Sequence, residues 1–162
     1  MTNTQELKTI RDSVILELLP IEEVPEEIHQ MVYDVLYLNW NVEYEPVEKW
    51  YDKELGGRFL IARKKDGTLL GACRLLPVDP KTPTAIQIRQ VVVTPESQGM
   101  GIGRFLMLKA EEVGRAEGAK TFFLWSRYPA YNFYERLDYI YTSMPWTSEL
   151  TKIEHRTMTK YL

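Results

Sequence analysis

The sequence predicts one domain of the mixed α+β (mixed α/β) class, a twisted mixed sheet of about six to seven strands flanked by about four helices. Two observations favour this class. The chain has 162 residues, of which 44% are apolar and 27% are charged, an ordinary composition for one globular domain. Its apolar residues change repeatedly from the spacing of strands to that of helices, and no linker or internal repeat interrupts the pattern.

Short apolar or alternating runs predict the strands. Residues 1–11 are polar and without period, so we expect a flexible arm before a single domain that spans residues 12–162. A Lys-Asp-Gly turn at 65–67 predicts a hairpin, and the wholly apolar run at 91–93 predicts a strand in the centre of the sheet. The predicted strands cover residues 14–19, 59–62, 69–76, 85–93, 121–125, 139–142 and 153–161.

Four further stretches predict helices. The first begins at Pro25, because proline suits the first turn and the two glutamates that follow it favour the helix dipole. Two others end at glycines, at 56–57 and at Gly118. The predicted helices cover residues 25–38, 46–55, 102–116 and 130–137.

Composition excludes several classes of function. The net charge is −3, without the basic surplus of a nucleic-acid binder. The single cysteine, Cys73, permits no intramolecular disulfide, so a reducing, cytoplasmic location is expected, with Cys73 as a buried hydrophobe. One cysteine and two histidines are too few for a structural zinc site, so no metal is expected. No apolar stretch reaches the ~20 residues of a membrane span, and the N-terminus has no signal-peptide core.

A glycine-rich loop between a predicted strand and a predicted helix is the most informative segment. It reads Gln98-Gly99-Met100-Gly101-Ile102-Gly103-Arg104. Bare backbone N–H groups at a helix N-terminus can bind a phosphate or pyrophosphate. The loop lacks the Gly-Lys-Ser/Thr ending of a Walker loop, and it does not have the G-x-G-x-x-G spacing of a dinucleotide loop. Glycines that merely let the helix pack closely on the strand are the alternative.

Three blocks resemble the GCN5-related N-acetyltransferase (GNAT) superfamily. The glycine loop, following a strand that ends Val-Val-Val-Thr-Pro, resembles the family's acetyl-coenzyme A (acetyl-CoA) loop. Residues 130–137, Ala-Tyr-Asn-Phe-Tyr-Glu-Arg-Leu, resemble its A-x-x-F-Y-E-[KR]-L segment. Residues 153–158 are similar to the I-P-H-x-x-M strand of a bacterial subgroup that acts on small acceptors. The chain departs from the family at Asp138-Tyr139, where Gly-Phe is usual.

The resemblance implies a GNAT-like fold and a binding site for acetyl-CoA as cosubstrate. The loop from Gly99 to Arg104 would hold the pyrophosphate through backbone amides, and Gln98 would shape its start. Asn132 would contact the cofactor. Pantetheine would lie in a gap beside the central strand. There it would pair with backbone groups of Val91, Val92 and Val93, one of which would polarise the thioester carbonyl.

The resemblance also implies that an amine attacks the thioester directly. Tyr134 takes the position of the general acid that protonates the departing thiolate. The proton acceptor for the amine stays open among His155, Glu43, Glu45, Glu149 and a chain of water molecules. Arg127 could bind an acidic group of the substrate, a cofactor phosphate, or a nearby carboxylate in a salt bridge.

The acceptor is expected to be the primary amine of a small molecule. Trp40, Tyr44 and Trp50 could line its pocket or could equally be ordinary core. A protein N-terminus or lysine, a coenzyme A (CoA) binding module without transferase activity, and a nucleotide-binding protein are the alternatives. The family also makes a homodimer possible, whereas no nucleic-acid or membrane partner is expected.

Overall fold

The computed structural model describes residues 13–38, 56–149 and 151–162. The predicted arm and the predicted helix at 46–55 lie outside the described residues. The described part contains eight strands: β1 (Val14–Pro20), β2 (Arg58–Lys64), β3 (Leu69–Pro77), β4 (Ala85–Val93), β5 (Thr121–Arg127), β6 (Ile140–Tyr141), β7 (Trp146–Thr147) and β8 (Glu154–Tyr161). It also contains three α-helices: α1 (Glu26–Leu36), α2 (Ile102–Ala116) and α3 (Tyr131–Glu135). None of the helices in these ranges is long and apolar enough to cross a membrane.

All eight strands form one mixed sheet, which confirms the predicted fold class. Its order is β1-β2-β3-β4-β5-β8-β6, and β7 also pairs with β8. Every pair is antiparallel except β4 with β5, which run parallel. The count exceeds the expected six to seven strands because β7 has only two residues, too few to leave a periodic signal.

The two longer helices cover opposite faces of the sheet. Helix α2 packs Phe105, Leu106 and Ala110 into a core that includes Leu75, Ile88 and Leu124; we call this the α2 face. Helix α1 packs Ile28, Met31 and Val32 on Phe59, Ile61 and Ala72 of the other face, which we call the α1 face. Both helices bury one side and expose the other, as their apolar spacing predicted.

A β-bulge in β4 exchanges the faces to which its residues point. The register shifts from Arg74 opposite Arg89 to Ala72 opposite Val92, and Gln90 between them has a φ of 51°. One extra residue therefore lies in β4, and the alternation of side chains changes phase there. Before the bulge Ile88 points to the α2 face, whereas after it Val92 packs on the α1 face.

Strand β4 separates from β5 at the same place. Their ladder covers only Ala85–Gln87 of β4 and Thr121–Phe123 of β5. Beyond Gln87 no other strand of the described residues pairs with this edge of β4. A gap therefore opens between two neighbouring strands in the middle of the sheet.

The turn after α3 explains the departure at Asp138-Tyr139. Asp138 has a φ of 71°, the left-handed conformation that glycine adopts without cost, so the turn keeps a glycine-like shape. Tyr139 is buried, and its hydroxyl donates a hydrogen bond of 2.8 Å to the carboxylate of Glu111. The departure thus leaves the backbone conformation intact and adds a buried hydrogen bond.

Substitution at Asp138 tests this account of the turn. Asp138→Val should lower the free energy of unfolding by about 1–2 kcal/mol, because a β-branched residue resists a positive φ. For a chain of this length, that corresponds to a fall in Tm of about 2–8 °C. Asp138→Gly should unfold at or above the wild-type temperature in the same thermal melts. Equal Tm values for the two variants would show that residue 138 does not affect stability through backbone strain.

Candidate active site

A cavity of about 380 Å³ lies where β4 and β5 separate. Because the strands are parted there, residues of both faces of the sheet line it. The lining consists of residues 87–91 of β4 and 124–127 of β5, with Leu36, Tyr37, Ala130, Tyr134, Trp146, Ser148, Glu149, Thr151 and His155. The cavity therefore connects the α1 face to the α2 face through the gap.

Tyr134 reaches this cavity from the α2 face. The short helix α3 carries it, its side chain is only 9% exposed, and it packs with Phe133 and Tyr139. Burial is the main reason why the pKa of Tyr134 lies well above its ordinary value. The phenol therefore keeps its proton at neutral pH and beyond. Cys73 is fully buried, as expected, and burial raises the pKa of its thiol to about 12.

The glycine loop forms the turn into α2. Gly99 and Gly101 have φ values of 82° and 84°, which require glycine, and Gly101 is the residue directly before the helix. Gln98 donates a side-chain hydrogen bond of 3.3 Å to the carbonyl of Val93, which joins the start of the loop to the end of β4. A Cβ on Gly103 would lie 3.3 Å from the Phe133 ring, so Gly103 also permits close packing, the alternative use of these glycines.

The other residues predicted to bind the cofactor lie around this loop. Met100 and Asn132 are exposed, whereas Ile102 is buried in the core of the α2 face. The Nε atom of Arg104 is buried and has no hydrogen-bond partner among the described residues. The side chains of Val91 and Val93 pack toward α2, so these residues face the gap with their backbone groups.

The α1 face of the cavity carries polar and aromatic side chains, and the sequence predicted only some of them as site residues. Alternation along β5 places Trp125 and Arg127 on the face opposite Leu124, and Arg127 lies opposite His155 in the ladder with β8. The guanidinium of Arg89 lies over the Trp125 ring, 5.2 Å from its centroid. Three lining residues carry no motif and were not predicted from the sequence: Trp125 in β5, Trp146 in the two-residue strand β7, and Thr151 in the loop before β8.

His155 is held in one tautomer. Its Nδ1 lies 2.9 Å from the carbonyl of Ile153, which can only accept a hydrogen bond. Nδ1 therefore carries the proton of the neutral ring, and Nε2 remains a proton acceptor. The ring stacks on Trp146 at a centroid distance of 4.9 Å. Burial lowers the pKa of His155, so the ring is neutral at pH 7.

Several predicted residues are not brought to the cavity by the described structure. Glu43, Glu45, Trp40, Tyr44 and Trp50 lie outside the described residues, so their assignments stay predictions. Glu149 does line the cavity, and it is exposed. Arg127 makes no ion pair within the described ranges, which removes the salt bridge as a role for it there.

Comparison with known proteins decides the family. The sequence profile of the acetyltransferase (GNAT) family matches residues 25–139, which include the glycine loop and Tyr134. The chain belongs to this family. As a GNAT acetyltransferase it is an acyltransferase, and the family uses acetyl-CoA as its cosubstrate.

One relative and several solved structures of the same fold match most of the length of this GNAT acetyltransferase. The UPF0039 protein C11D3.02c of Schizosaccharomyces pombe is 32% identical over 117 residues, which make up 67% of this chain and 74% of that protein. An acyl-CoA N-acyltransferase from Pseudomonas aeruginosa has the same fold, with a TM-score of 0.72, 21% identity and coverage of 91% and 99% of the two chains. Escherichia coli ElaA gives a TM-score of 0.72 at 20% identity, with the same coverage. The spermidine/spermine N-acetyltransferase SpeG of Vibrio cholerae gives 0.66 at 14% identity, over 94% of each chain.

Proposed function

We propose that this enzyme transfers the acetyl group of acetyl-CoA to the primary amine of a small molecule, with Tyr134 as the general acid. The observation that carries the proposal is the cavity through the gap between β4 and β5. Through this cavity, an acetyl donor bound on the α2 face could contact an acceptor bound on the α1 face. Tyr134 lies on the donor side of the cavity.

The residues around the glycine loop fit the cosubstrate. Gly99–Arg104 would bind its pyrophosphate, because Gly99 and Gly101 leave the backbone bare at the N-terminus of a 15-residue helix. The unpartnered Nε of Arg104 is a donor at the same place. Gln98 holds the loop to β4, and Asn132 would contact the cofactor from α3. The backbone of Val91, Val92 and Val93 would pair with the pantetheine arm along the free edge of β4.

The chemistry needs two proton transfers and one stabilised oxygen. Bound acetyl-CoA supplies a thioester carbon, with which the amine nitrogen forms a bond while the bond to sulfur breaks. A backbone N–H of β4 would donate to the carbonyl oxygen as negative charge develops there. Tyr134 would give its hydroxyl proton to the departing thiolate, which it can do because burial keeps the phenol protonated.

The proton that leaves the amine also needs an acceptor. His155 meets the requirements best among the described candidates, because it lines the cavity, is neutral at pH 7 and has Nε2 unprotonated. Glu149 lines the same cavity, but its side chain is exposed to solvent. We therefore assign this role to His155.

Two observations support a small acceptor. The cavity of about 380 Å³ is of the size of ordinary small-molecule sites. A protein of the same fold, SpeG, is a spermidine/spermine N-acetyltransferase, and its acceptors are small amines. A protein N-terminus or lysine side chain remains the second candidate, since only the end of such an acceptor needs to enter the cavity.

Cofactor binding is tested by a matched pair of glycine variants. Gly101→Val should raise the Kd for CoA at least roughly tenfold, because a β-branched residue at φ 84° displaces the amides that face the phosphates. Gly67→Val is the control: Gly67 has a similar φ of 94°, but it lies at a hairpin tip with open space around it. It should carry the same backbone strain and leave the Kd unchanged.

Isothermal titration calorimetry with CoA, ATP and NAD gives the comparison. We expect binding of CoA alone, weakened only in Gly101→Val. Equal Kd values for CoA in the two variants would contradict the loop assignment. Binding of ATP or NAD in place of CoA would support the nucleotide-binding alternative instead.

A further inference from the structure

Two guanidinium groups face the acceptor side of the cavity, and the proposed acetyl transfer uses neither of them. Arg89 comes from β4 and Arg127 from β5, and both line the cavity on its α1 face. Neither makes an ion pair within the described ranges. The one carboxylate among the described lining residues is Glu149, which is exposed. Among the described lining residues, this part of the cavity therefore carries two guanidinium groups and no buried carboxylate.

Aromatic rings hold both groups in place. Arg89 lies over Trp125, and Arg127 lies over Tyr37 with its Cζ 5.5 Å from the ring centroid. Contact with the face of a ring leaves the N–H donors at the edge of a guanidinium available for a ligand. Burial lowers the pKa of Arg127, which is the expected sign for a desolvated cation. An anion that enters the cavity therefore meets oriented and poorly solvated donors.

Buried polar groups beside the arginines also lack partners. Gln87 and Thr151 are each only 6% exposed and line the cavity. Within the described part of the chain, Gln87 Nε2 and Thr151 Oγ1 have no hydrogen-bond partner. Buried polar atoms are nearly always satisfied, so unpaired groups in a cavity wall indicate a polar ligand. An amide N–H and a hydroxyl can both donate to the same anion.

We propose that the acceptor is an amino acid, whose carboxylate is bound by Arg89 and Arg127 while its amine points to the gap. This rests on the proposed function and specifies its substrate class. Planar guanidinium groups match the two oxygens of a carboxylate. Gln87 and Thr151 complete the donor set. The edge-to-face pair of Trp125 and Trp146, with centroids 6.0 Å apart, forms an apolar wall for the remainder of the acceptor.

Matched acceptors test the proposal. The enzyme is supplied with acetyl-CoA and with pairs in which the carboxylate is replaced. A carboxamide replaces it in L-phenylalaninamide for L-phenylalanine and in β-alaninamide for β-alanine, and a second aminomethyl group replaces it in putrescine for 4-aminobutyrate. Release of CoA thiol gives the rate, and mass spectrometry confirms the acetylated amine. We expect at least one acid to react with a kcat/KM ten times that of its uncharged or cationic partner or more. The ammonium group of an amino-acid amide loses its proton more readily than that of the amino acid itself. In the two amide pairs, amine basicity would therefore favour the amide and cannot produce a preference for the acid.

Arginine variants then assign the preference to the site. Arg127→Gln and Arg89→Gln should raise KM for the preferred acid roughly 10- to 100-fold, because each removes hydrogen bonds to a charged group. KM for acetyl-CoA should stay unchanged. KM for the partner without a carboxylate should change little. Arg127→Lys should recover part of the loss, because it keeps the charge without the planar fork. Arg136→Gln, an exposed arginine outside the cavity, is the control and should match the wild type.

The outcomes separate the inference from the proposed function. If the acids and their partners reacted equally, and Arg127→Gln did not change the rates, the carboxylate site would be overturned. The proposed acetyl transfer would not be affected by that result. A failure of every acid and every partner to react, in an enzyme that binds acetyl-CoA, would overturn transfer to a small amine and the inference with it. A preference for the acids that is lost in Arg127→Gln and in Arg89→Gln supports both the carboxylate site and the proposed acetyl transfer.

Discussion

Replacing Tyr134 with phenylalanine is expected to lower kcat roughly 100- to 1,000-fold, the loss typical of a missing general acid. The ring would keep its packing on Phe133 and Tyr139, whose centroids lie 4.9 and 6.1 Å away, so the fold and the Kd for CoA should not change. Only the hydroxyl proton for the departing thiolate would be lost. Initial rates of CoA thiol release at saturating acetyl-CoA and amine measure the effect.

Tyr161→Phe is the matched control for this variant. Tyr161 is 64% exposed at the end of β8 and does not line the cavity, so removal of its hydroxyl should leave kcat unchanged. If Tyr134→Phe retained the wild-type kcat, the assignment of the general acid would be wrong. If Tyr161→Phe lost as much as Tyr134→Phe, the effect would not be specific to the cavity.

Glu111→Ala should destabilise the fold more than any of the active-site substitutions. Glu111 is 2% exposed in α2, where its two carboxylate oxygens accept hydrogen bonds of 2.8 Å from Tyr139 and from Lys160. Its removal leaves a mostly buried ammonium and a buried phenol without an acceptor. We expect a loss of about 3 kcal/mol in the free energy of unfolding. Thermal melts should show a Tm about 6–12 °C lower.

The adjacent residue supplies the control for this prediction. Glu112 is exposed, and its 2.8 Å pair with Lys109 lies at the surface of the same helix. Because exposed pairs contribute little, Glu112→Ala should cost no more than about 1 kcal/mol. Similar Tm values for the two variants would show that the buried network around Glu111 does not hold α2 to the C-terminal strands.

Most of the fold was predictable because its elements carry strong local periodicity. Strand β4 was predicted with the bounds that the structure shows, and so was α2, whose apolar stripe and flanking glycines mark both of its ends. Strand β7 leaves no such signal, and neither do three turns of 3₁₀ helix, at Ile21–Glu23, Pro95–Ser97 and Tyr128–Ala130. A two-residue strand exists because β8 is there to pair with it, which is tertiary information.

The candidate site was predictable where it depends on motifs and not where it depends on the path of the backbone. The glycine loop and Tyr134 lie in contiguous segments whose spacing can be compared with a family. The wall of Arg89, Trp125 and Arg127 depends on which face each strand residue takes, and the bulge at Gln90 changes that phase in β4. The adjacent polar residues Arg89 and Gln90 interrupt the alternation of the strand, which is a signal of the bulge in the sequence.

We propose that an acetyl group passes through the gap between β4 and β5, from a donor on the α2 face to an acceptor on the α1 face. The most direct test is mass spectrometry of a pool of small primary amines incubated with acetyl-CoA and the enzyme. We predict an acetylated amine that forms with the wild type and is reduced at least roughly 100-fold with Tyr134→Phe. Binding of acetyl-CoA without any acetylated amine would contradict the account and favour a module that binds CoA without transferring its acetyl group.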